Sequence, residues 1–424
     1  MNKFKKIVLD NGLRIVTVED KNSTAVTVLV LAATGSKYET KETSGISHLL
    51  EHLLFKGTKR KPTPIDIAGP LDSVGGVYNA FTAEEYTGYF AKVGSEHFDL
   101  ALDTISDIYL NSKLEKKEIE KEKGVVIEEI NMYYDHPMSY VQNLWTKLLY
   151  GDQPAGWDIA GTKESVSSIS REQMADYIKS QYVSKNTVVC IAGNMPKEQE
   201  LVKKIKKHFS NIGDRNPKQK PEVIEMQRSP ELLLHNRKTD QTHFCLGVRG
   251  YSLFDKKKHS QEILGLILGG MMSSRLFVRI REQLSLCYYI RANSNSDTDT
   301  GYLVVQTGVD NSRVEKAISE ILKEFKKISS RAVPLKELKK AKDNLKGKMG
   351  LMLETSDAQA SFYAIQELLE NKILSPNEIY DRINRVGRSD VLRLAKDIFR
   401  PEKLNLALLG PYSDEKKLKK LLKI

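Results

Sequence analysis

His48-Leu49-Leu50-Glu51-His52 sets two imidazoles and a carboxylate within five residues. On a helix, imidazoles four apart project from one face about one turn apart. That separation suits two ring nitrogens converging on one zinc ion at about 2.0–2.1 Å. Glu51, three residues after the first histidine and one before the second, sits beside such an ion without serving as its ligand. It is placed to take a proton from metal-held water, the work of a general base. Histidine pairs at this spacing also pack or cap with no metal nearby. The metal reading gains from an ionisable Glu51 set among Leu49, Leu50, Leu53, Leu54 and Phe55, and from an acidic helix downstream.

A catalytic zinc takes three protein ligands and keeps one position open. The segment IEKEKGVVIEEINMYYDHP offers Glu122, Glu128 and Glu129. Glu122 and Glu129, seven apart, share a helix face, whereas Glu128 points about 100° away from Glu129. Glu129 is therefore the ligand candidate. Glu122 is its neighbour on the cleft side, an outer carboxylate acting on Glu129 or on the field of the site.

These groups need elements to hold them. Lys6 to Leu9, Arg14 to Val18 and Ala25 to Ala32 read as strands, with Asn11-Gly12 as the turn between the first two. Ser44-Gly45 opens an apolar helical stretch, Ile46 to Phe55, that carries the histidines. A second short helix, Ile65 to Val74, leads into VYNAFTAEEYTGYFAKV, which has the aromatic and β-branched content of paired strands. Glu96 to Tyr182 is mostly helical, and Thr187 to Ala192 is a buried strand. The polar, proline-bearing stretch Asn211 to Pro230 marks a connection. Beyond it the order recurs: strands near Leu232 to His235 and Thr242 to Arg249, a helix Ser260 to Leu268, strands near Tyr288 to Ala292 and Gly301 to Thr307, then helices. A last strand, Leu404 to Leu409, echoes Thr187 to Ala192. This predicts an α+β chain of two similar domains, 1–215 and 216–424, related by internal duplication. Each is a mostly antiparallel sheet with helices packed on it.

Bulk properties exclude several classes. A chain of 424 residues exceeds one ordinary core. Its 40% apolar and 29% charged residues and negative mean hydropathy argue against a disordered chain or a membrane bundle. No segment approaches the roughly 20 apolar residues of a spanning helix, so stable membrane insertion is not expected. The opening MNKFKKIVLDNGLRIV lacks a secretory signal's apolar core and cleavage site. Three widely spaced cysteines, Cys190, Cys245 and Cys287, suggest neither a disulfide framework nor a Cys-based metal site. Together these point to the cytoplasm. The net charge of +11 would suit nucleic acid or an anionic membrane. Lysines mixed with acids, as in LEKKEIEKEKG from Leu114 to Gly124, instead fit solvated helix faces, and no nucleic-acid partner is expected. The basic run Glu415 to Ile424 reads as a terminal helix packing its leucines, with membrane or acidic-partner contact as the alternative.

HxxEH reverses the common HExxH order and is the inverzincin signature. With it, the sequence closely resembles the pitrilysin and insulinase family of zinc peptidases, particularly bacterial members similar to the mitochondrial processing peptidase. The resemblance runs through LDNGLRIV, GSKYE, HLLEHLLFKGT, GGVYNAFT, EKGVVIEEI, GWDIAGTKESV and TVVCIAGNM. The family's distal glutamate follows the second histidine at a long, nearly fixed interval; here 129 − 52 = 77 positions lead to Glu129. In the second half, LGLILGGMMSSRLFVRIREQLSLCYY resembles the family's glycine-containing segment with its Arg and Tyr pair, here Arg281 and Tyr288. Ser285 departs from the glycine many relatives have, and Met271-Met272 from their small residues, which puts substrate shape in question but not the metal.

The resemblance implies a zinc metallo-endopeptidase that hydrolyses unfolded peptides or leader segments in a closed chamber. One Zn2+ per chain would be held by His48, His52 and Glu129, with Glu51 as general base on zinc-bound water. Arg281 and Tyr288 would hold substrate and polarise the scissile carbonyl, although an Arg paired with an acid and a Tyr packed in a strand are the plain alternative. Asn79-Ala80-Phe81-Thr82 would be the substrate-binding edge strand, through its backbone; Phe81 and Tyr78 also fit an ordinary core. Family chambers contain four such domains, which implies a homodimer whose zinc sites face the partner's second domain. The rival reading is a catalytically silent scaffold or assembly subunit of the same family. The full set His48, Glu51, His52 and Glu129 argues against it.

Overall fold

The computed structural model describes residues 4–424; the first three residues of the basic opening lie outside the described residues. The first half builds a six-stranded sheet in the order β1-β2-β6-β3-β5-β4. Its strands are β1 (Phe4–Val8), β2 (Arg14–Glu19), β3 (Ala25–Ala32), β4 (Val77–Thr82), β5 (Thr87–Gly94) and β6 (Thr187–Gly193). Only β2 and β6 run parallel; the other pairs are antiparallel. The second half builds a five-stranded sheet in the order β7-β11-β8-β10-β9. These strands are β7 (Glu231–Asn236), β8 (Gln241–Arg249), β9 (Cys287–Ser296), β10 (Gly301–Asp310) and β11 (Leu404–Gly410), with β7 and β11 parallel.

Apart from the added β1, the two orders are the same, parallel pair included, and β4 and β9 occupy equivalent edges. The duplication read from the sequence is thus a duplication of topology. Helices repeat as well. α1 (Ile46–Leu54) lies between β3 and β4 in sequence, as helix Lys258–Gly269 lies between β8 and β9. After α2 (Pro64–Ser73), the first half continues with α3 (Phe98–Asn111), α4 (Lys116–Asp135) and α5 (Pro137–Tyr150). The second half answers with helices Val314–Ser330, Leu335–Met352 and Ser356–Glu370.

The compact units are not the linear stretches 1–215 and 216–424. One unit comprises the chain up to Asn131, Asp158–Pro221 and Gly350–Leu374; the other comprises Met132–Trp157, Glu222–Met349 and Ser375–Ile424. Each unit thus takes a helix from the opposite half, helix Ser356–Glu370 in the first and α5 in the second. The physical reason lies in the strands. β3 is apolar at every position but Thr27 and buried along nearly all its length, so both of its faces need cover. Val26, Val28 and Val30 join the core that includes α1 and α3, while Leu29 and Leu31 join Val16, Val18, Val188 and Cys190 beneath Ala360, Tyr363, Ala364 and Leu368 of the exchanged helix. In the second unit, Val141, Leu144, Trp145 and Leu149 of α5 cover Cys245, Val304, Ala407 and Leu409.

Polar anchors fix the exchange. Buried Glu367 meets Lys6 Nζ at 2.7 Å and Arg14 Nη1 at 3.7 Å, and Thr27 and Ser356 hydroxyls share a 2.8 Å hydrogen bond. On α5, Gln142 Nε2 donates to Gln306 Oε1 at 3.0 Å, and Gln306 Nε2 donates to Met138 O at 2.6 Å. The terminal helix Glu415–Leu421 packs Leu418, with Leu422 also buried. Among the described residues, no helix is long and apolar enough to cross a membrane.

Candidate metal centre

α1 has one wholly buried face, Ile46, Leu49, Leu50, Leu53 and Leu54, which fixes its rotation and leaves His48, Glu51 and His52 off that face. Its start is equally constrained. Gly45 has φ +92°, and a side chain there would meet Ala160 O at 2.6 Å. The buried Glu39 carboxylate accepts the Gly45 and Ser47 amides at 2.8 and 2.9 Å, satisfying donors that a helix start leaves unpaired. Tyr177 joins Ser47 Oγ to Thr34 Oγ1 through its hydroxyl.

Glu39 supplies a pH prediction. Burial, only partly offset by the Ser47 and Gly45 bonds, lifts its carboxyl from 4.5 to about 7. Below 4.5 the unfolded and folded chains both keep the proton, and there is no penalty. As pH rises toward 7 the unfolded chain releases a proton that the folded carboxyl retains, so folding is progressively disfavoured. Urea unfolding should show wild type losing up to about 3 kcal/mol relative to Glu39→Gln across that interval. A pH-independent difference would contradict this.

The imidazoles of His48 and His52 lie with ring centroids 4.7 Å apart at 74°. Glu129, on α4, brings Oε2 to 3.5 Å from His48 Nε2 and 3.6 Å from His52 Nε2. One ligand atom from each residue lies within 4.8 Å of the others. Ligands of a tetrahedral zinc at 2.0–2.1 Å are about 3.3–3.4 Å apart, so the spacing fits one shared ion better than direct hydrogen bonds. Burial first, then the neighbouring His52, lowers His48 to about 4. Its ring is therefore neutral near pH 7, the form that ligates a metal. Among the described residues this is the one such His/Cys/Asp/Glu group.

Glu122, which helix phase puts on the face of Glu129, makes its contacts elsewhere. Glu122 Oε2 lies 3.3 Å from His52 Nδ1, and Oε1 is 2.8 Å from Lys56 Nζ. This leaves His52 Nε2 toward Glu129, the arrangement in which a carboxylate orients a metal-binding imidazole. Helix phase gave the direction of Glu122 but not which side chain it would meet, and Lys56 gave no signal in the sequence. Glu128 is exposed, as its phase required.

Glu51 is largely buried, and burial raises its carboxyl while a hydrogen bond from Thr82 opposes the rise. Of the NAFT residues on edge strand β4, Ala80 packs in the core with α1, and Phe81 packs on the opposite face near Tyr86. Asn79 Oδ1 accepts the Ala80 amide at 2.9 Å. Tyr78 reaches Asp72 and lies near Phe55.

In the other unit, Arg281 stands over the rings of Phe277 and Tyr288, 4.6 and 5.5 Å from their centroids. Arg281 lies on the π-helix Phe277–Gln283, and Tyr288 on β9 is 80% exposed, which sets aside a packed strand residue. Glu282, at 3.9 Å, is only a distant ion-pair partner for Arg281. Between them Ser285 has φ +47°, a left-handed conformation that favours glycine. Ser285→Gly should therefore stabilise the protein by about 0.5–1 kcal/mol, the relief of strain less glycine's added chain entropy. The urea midpoint reads this directly, and a lower midpoint would contradict it.

A duplicated α+β chain whose inverted HxxEH helix brings two histidines to a glutamate of α4 has the architecture of a zinc metallopeptidase. Comparison with known proteins gives the family. Residues 14–163 match the insulinase (peptidase family M16) domain, and residues 168–345 match the peptidase M16 inactive domain. The uncharacterized zinc protease YmxG of Bacillus subtilis is 35% identical over 96% of this chain and 98% of its own. A zinc protease of Streptomyces coelicolor is 31% identical over 97% of this chain and 90% of its own. The chain belongs to the insulinase, or M16, peptidase family. A protease from Helicobacter pylori shares the fold, with TM-score 0.89 and 24% identity over 97% of this chain and all of that one.

Proposed function

We propose that the protein is a zinc-dependent endopeptidase acting on unfolded peptides, with His48, His52 and Glu129 as ligands for one ion per chain and Glu51 as general base. The observation that carries this reading is the approach of Glu129 Oε2 to both imidazoles, 77 residues beyond His52, beside a largely buried carboxylate that is not itself a ligand. A bound zinc ion supplies Lewis-acid polarisation of the scissile carbonyl and makes the attacking water more acidic.

Glu51 accepts the water's proton and returns it to the departing amine, a role helped by its raised carboxyl. Edge strand β4 takes the peptide by main-chain pairing, which requires an extended, unfolded segment. Arg281 and Tyr288 offer a guanidinium and a phenol to the substrate carbonyl and the oxyanion that develops from it. Two units per chain against four in a family chamber support a homodimer, with this pair serving the partner's zinc site. We place the protein in the cytoplasm on its cysteine usage, three free thiols with no disulfide framework.

The direct test strips the metal with a chelator and follows cleavage of an unstructured peptide. Cleavage should vanish and return with one equivalent of zinc per chain; cleavage that survives full metal removal would overturn the reading. The dimer has its own test. A mixture of Glu51→Gln and Tyr288→Phe chains should regain activity that neither has alone, whereas a fully active monomer would exclude action across an interface.

A further inference from the structure

Thr82 ends β4 on the side of the sheet that meets α1. Strand alternation turns Tyr78, Ala80 and Thr82 the same way, and the first two pack with the core that includes α1. The Thr82 hydroxyl donates to Glu51 Oε2 at 2.6 Å, the length of a charge-assisted bond. A β-branched residue has restricted χ1, so this donor is a fixed point on a strand. Glutamate, by contrast, has three side-chain torsions to order before its carboxylate can act in one geometry.

We propose that Thr82 is a positioning residue for the general base, holding Glu51 Oε2 so that Oε1 is the oxygen that takes and returns the proton. This rests on the peptidase reading and deepens it. The family resemblance gives the backbone of Asn79 to Thr82 to the substrate; the Thr82 side chain acts on the enzyme's own base. A peptide paired with β4 and the carboxylate that serves it therefore share one anchor. Their register is set within a single strand, with no loop between the peptide-binding edge and the base.

The test compares Thr82→Val, which keeps the shape but loses the donor, with Thr82→Ser, which keeps the donor. Thr82→Ala replaces the valine variant if that one fails to fold. The donorless variant should lose ~10-fold or more in kcat, with KM and zinc content near wild type, and Thr82→Ser should restore most of the rate. An unchanged kcat, a loss shared equally by Thr82→Ser, or an effect confined to KM would overturn the assignment. Crystal structures of the zinc-loaded proteins read the same point without substrate: Glu51 should be single and fixed in wild type and Thr82→Ser, but turned or multiple in Thr82→Val. Failure of wild type to cleave any peptide would reject the peptidase reading alone, and the crystallographic comparison would still decide the role of Thr82. An identical Glu51 in all three structures would reject that role.

Discussion

Zinc affinity should fall more than ~100-fold in Glu129→Gln and by ~10–100-fold in Glu122→Gln, the latter being the usual effect of losing an outer partner of a metal ligand. The difference follows from what each carboxylate touches. Glu129 Oε2 is the oxygen common to both imidazoles, at 3.5 and 3.6 Å. Its removal leaves two nitrogens from one helix and no anionic ligand. Glu122 instead holds the far side of the His52 ring while Lys56 occupies its other oxygen. Its loss frees the ring without removing a donor atom. Competition against a chromophoric chelator measures both affinities. Equal losses would make Glu122 a ligand, and an unaltered Glu129→Gln would remove Glu129 from the metal.

A second large effect concerns the exchanged helices. Residues 1–221 produced alone should not give a cooperatively folding unit, whereas co-production with 222–424 should. Without helix Ser356–Glu370, one face of the first sheet loses its cover over Val16, Val18, Leu29, Leu31, Val188 and Cys190. Exposing such side chains costs about 1.5–3 kcal/mol each, and the sum is comparable with the about 5–15 kcal/mol that stabilises a whole domain. Arg14 and Lys6 also lose the buried Glu367 carboxylate. Thermal melting followed by near-ultraviolet circular dichroism checks the result. A sharp transition for 1–221 alone would show that the sheet does not need the borrowed helix.

Why the duplication was legible and the exchange was not has a physical answer. Strand and helix periods mark each element and its apolar face, so β3, α1 and the echo of β6 in β11 stand out along the chain. Those periods do not say which sheet a helix will cover. The apolar stripe of Ser356–Glu370 fits either sheet until the chain is folded. One signal was available: a strand apolar at every position but Thr27, Ala25 to Ala32, demands cover on two faces.

The candidate metal cluster was more open to reading because its geometry is local. Two histidines four apart on one helix offer two candidate ligands on one face, and helix phase favours Glu129 over Glu128, the former being the carboxylate that meets both imidazoles. Side-chain partners over long separations have no such code. Glu39 capping α1, Lys56 on Glu122 and Thr82 on Glu51 each depend on how two distant elements pack. Ser285 lies between these cases. Its departure from the relatives' glycine was visible in the sequence, but the left-handed φ that explains the glycine was not.

The most direct measurement maps by mass spectrometry the cleavage of a mixed pool of unstructured peptides by zinc-loaded wild type and by Glu51→Gln, side by side. A peptidase with Glu51 as its base gives internal cleavages with wild type that are lost, by ~100-fold or more, in a variant still holding zinc. Equal cleavage by both would take the base role from Glu51. No cleavage by zinc-loaded wild type would contradict the peptidase assignment itself.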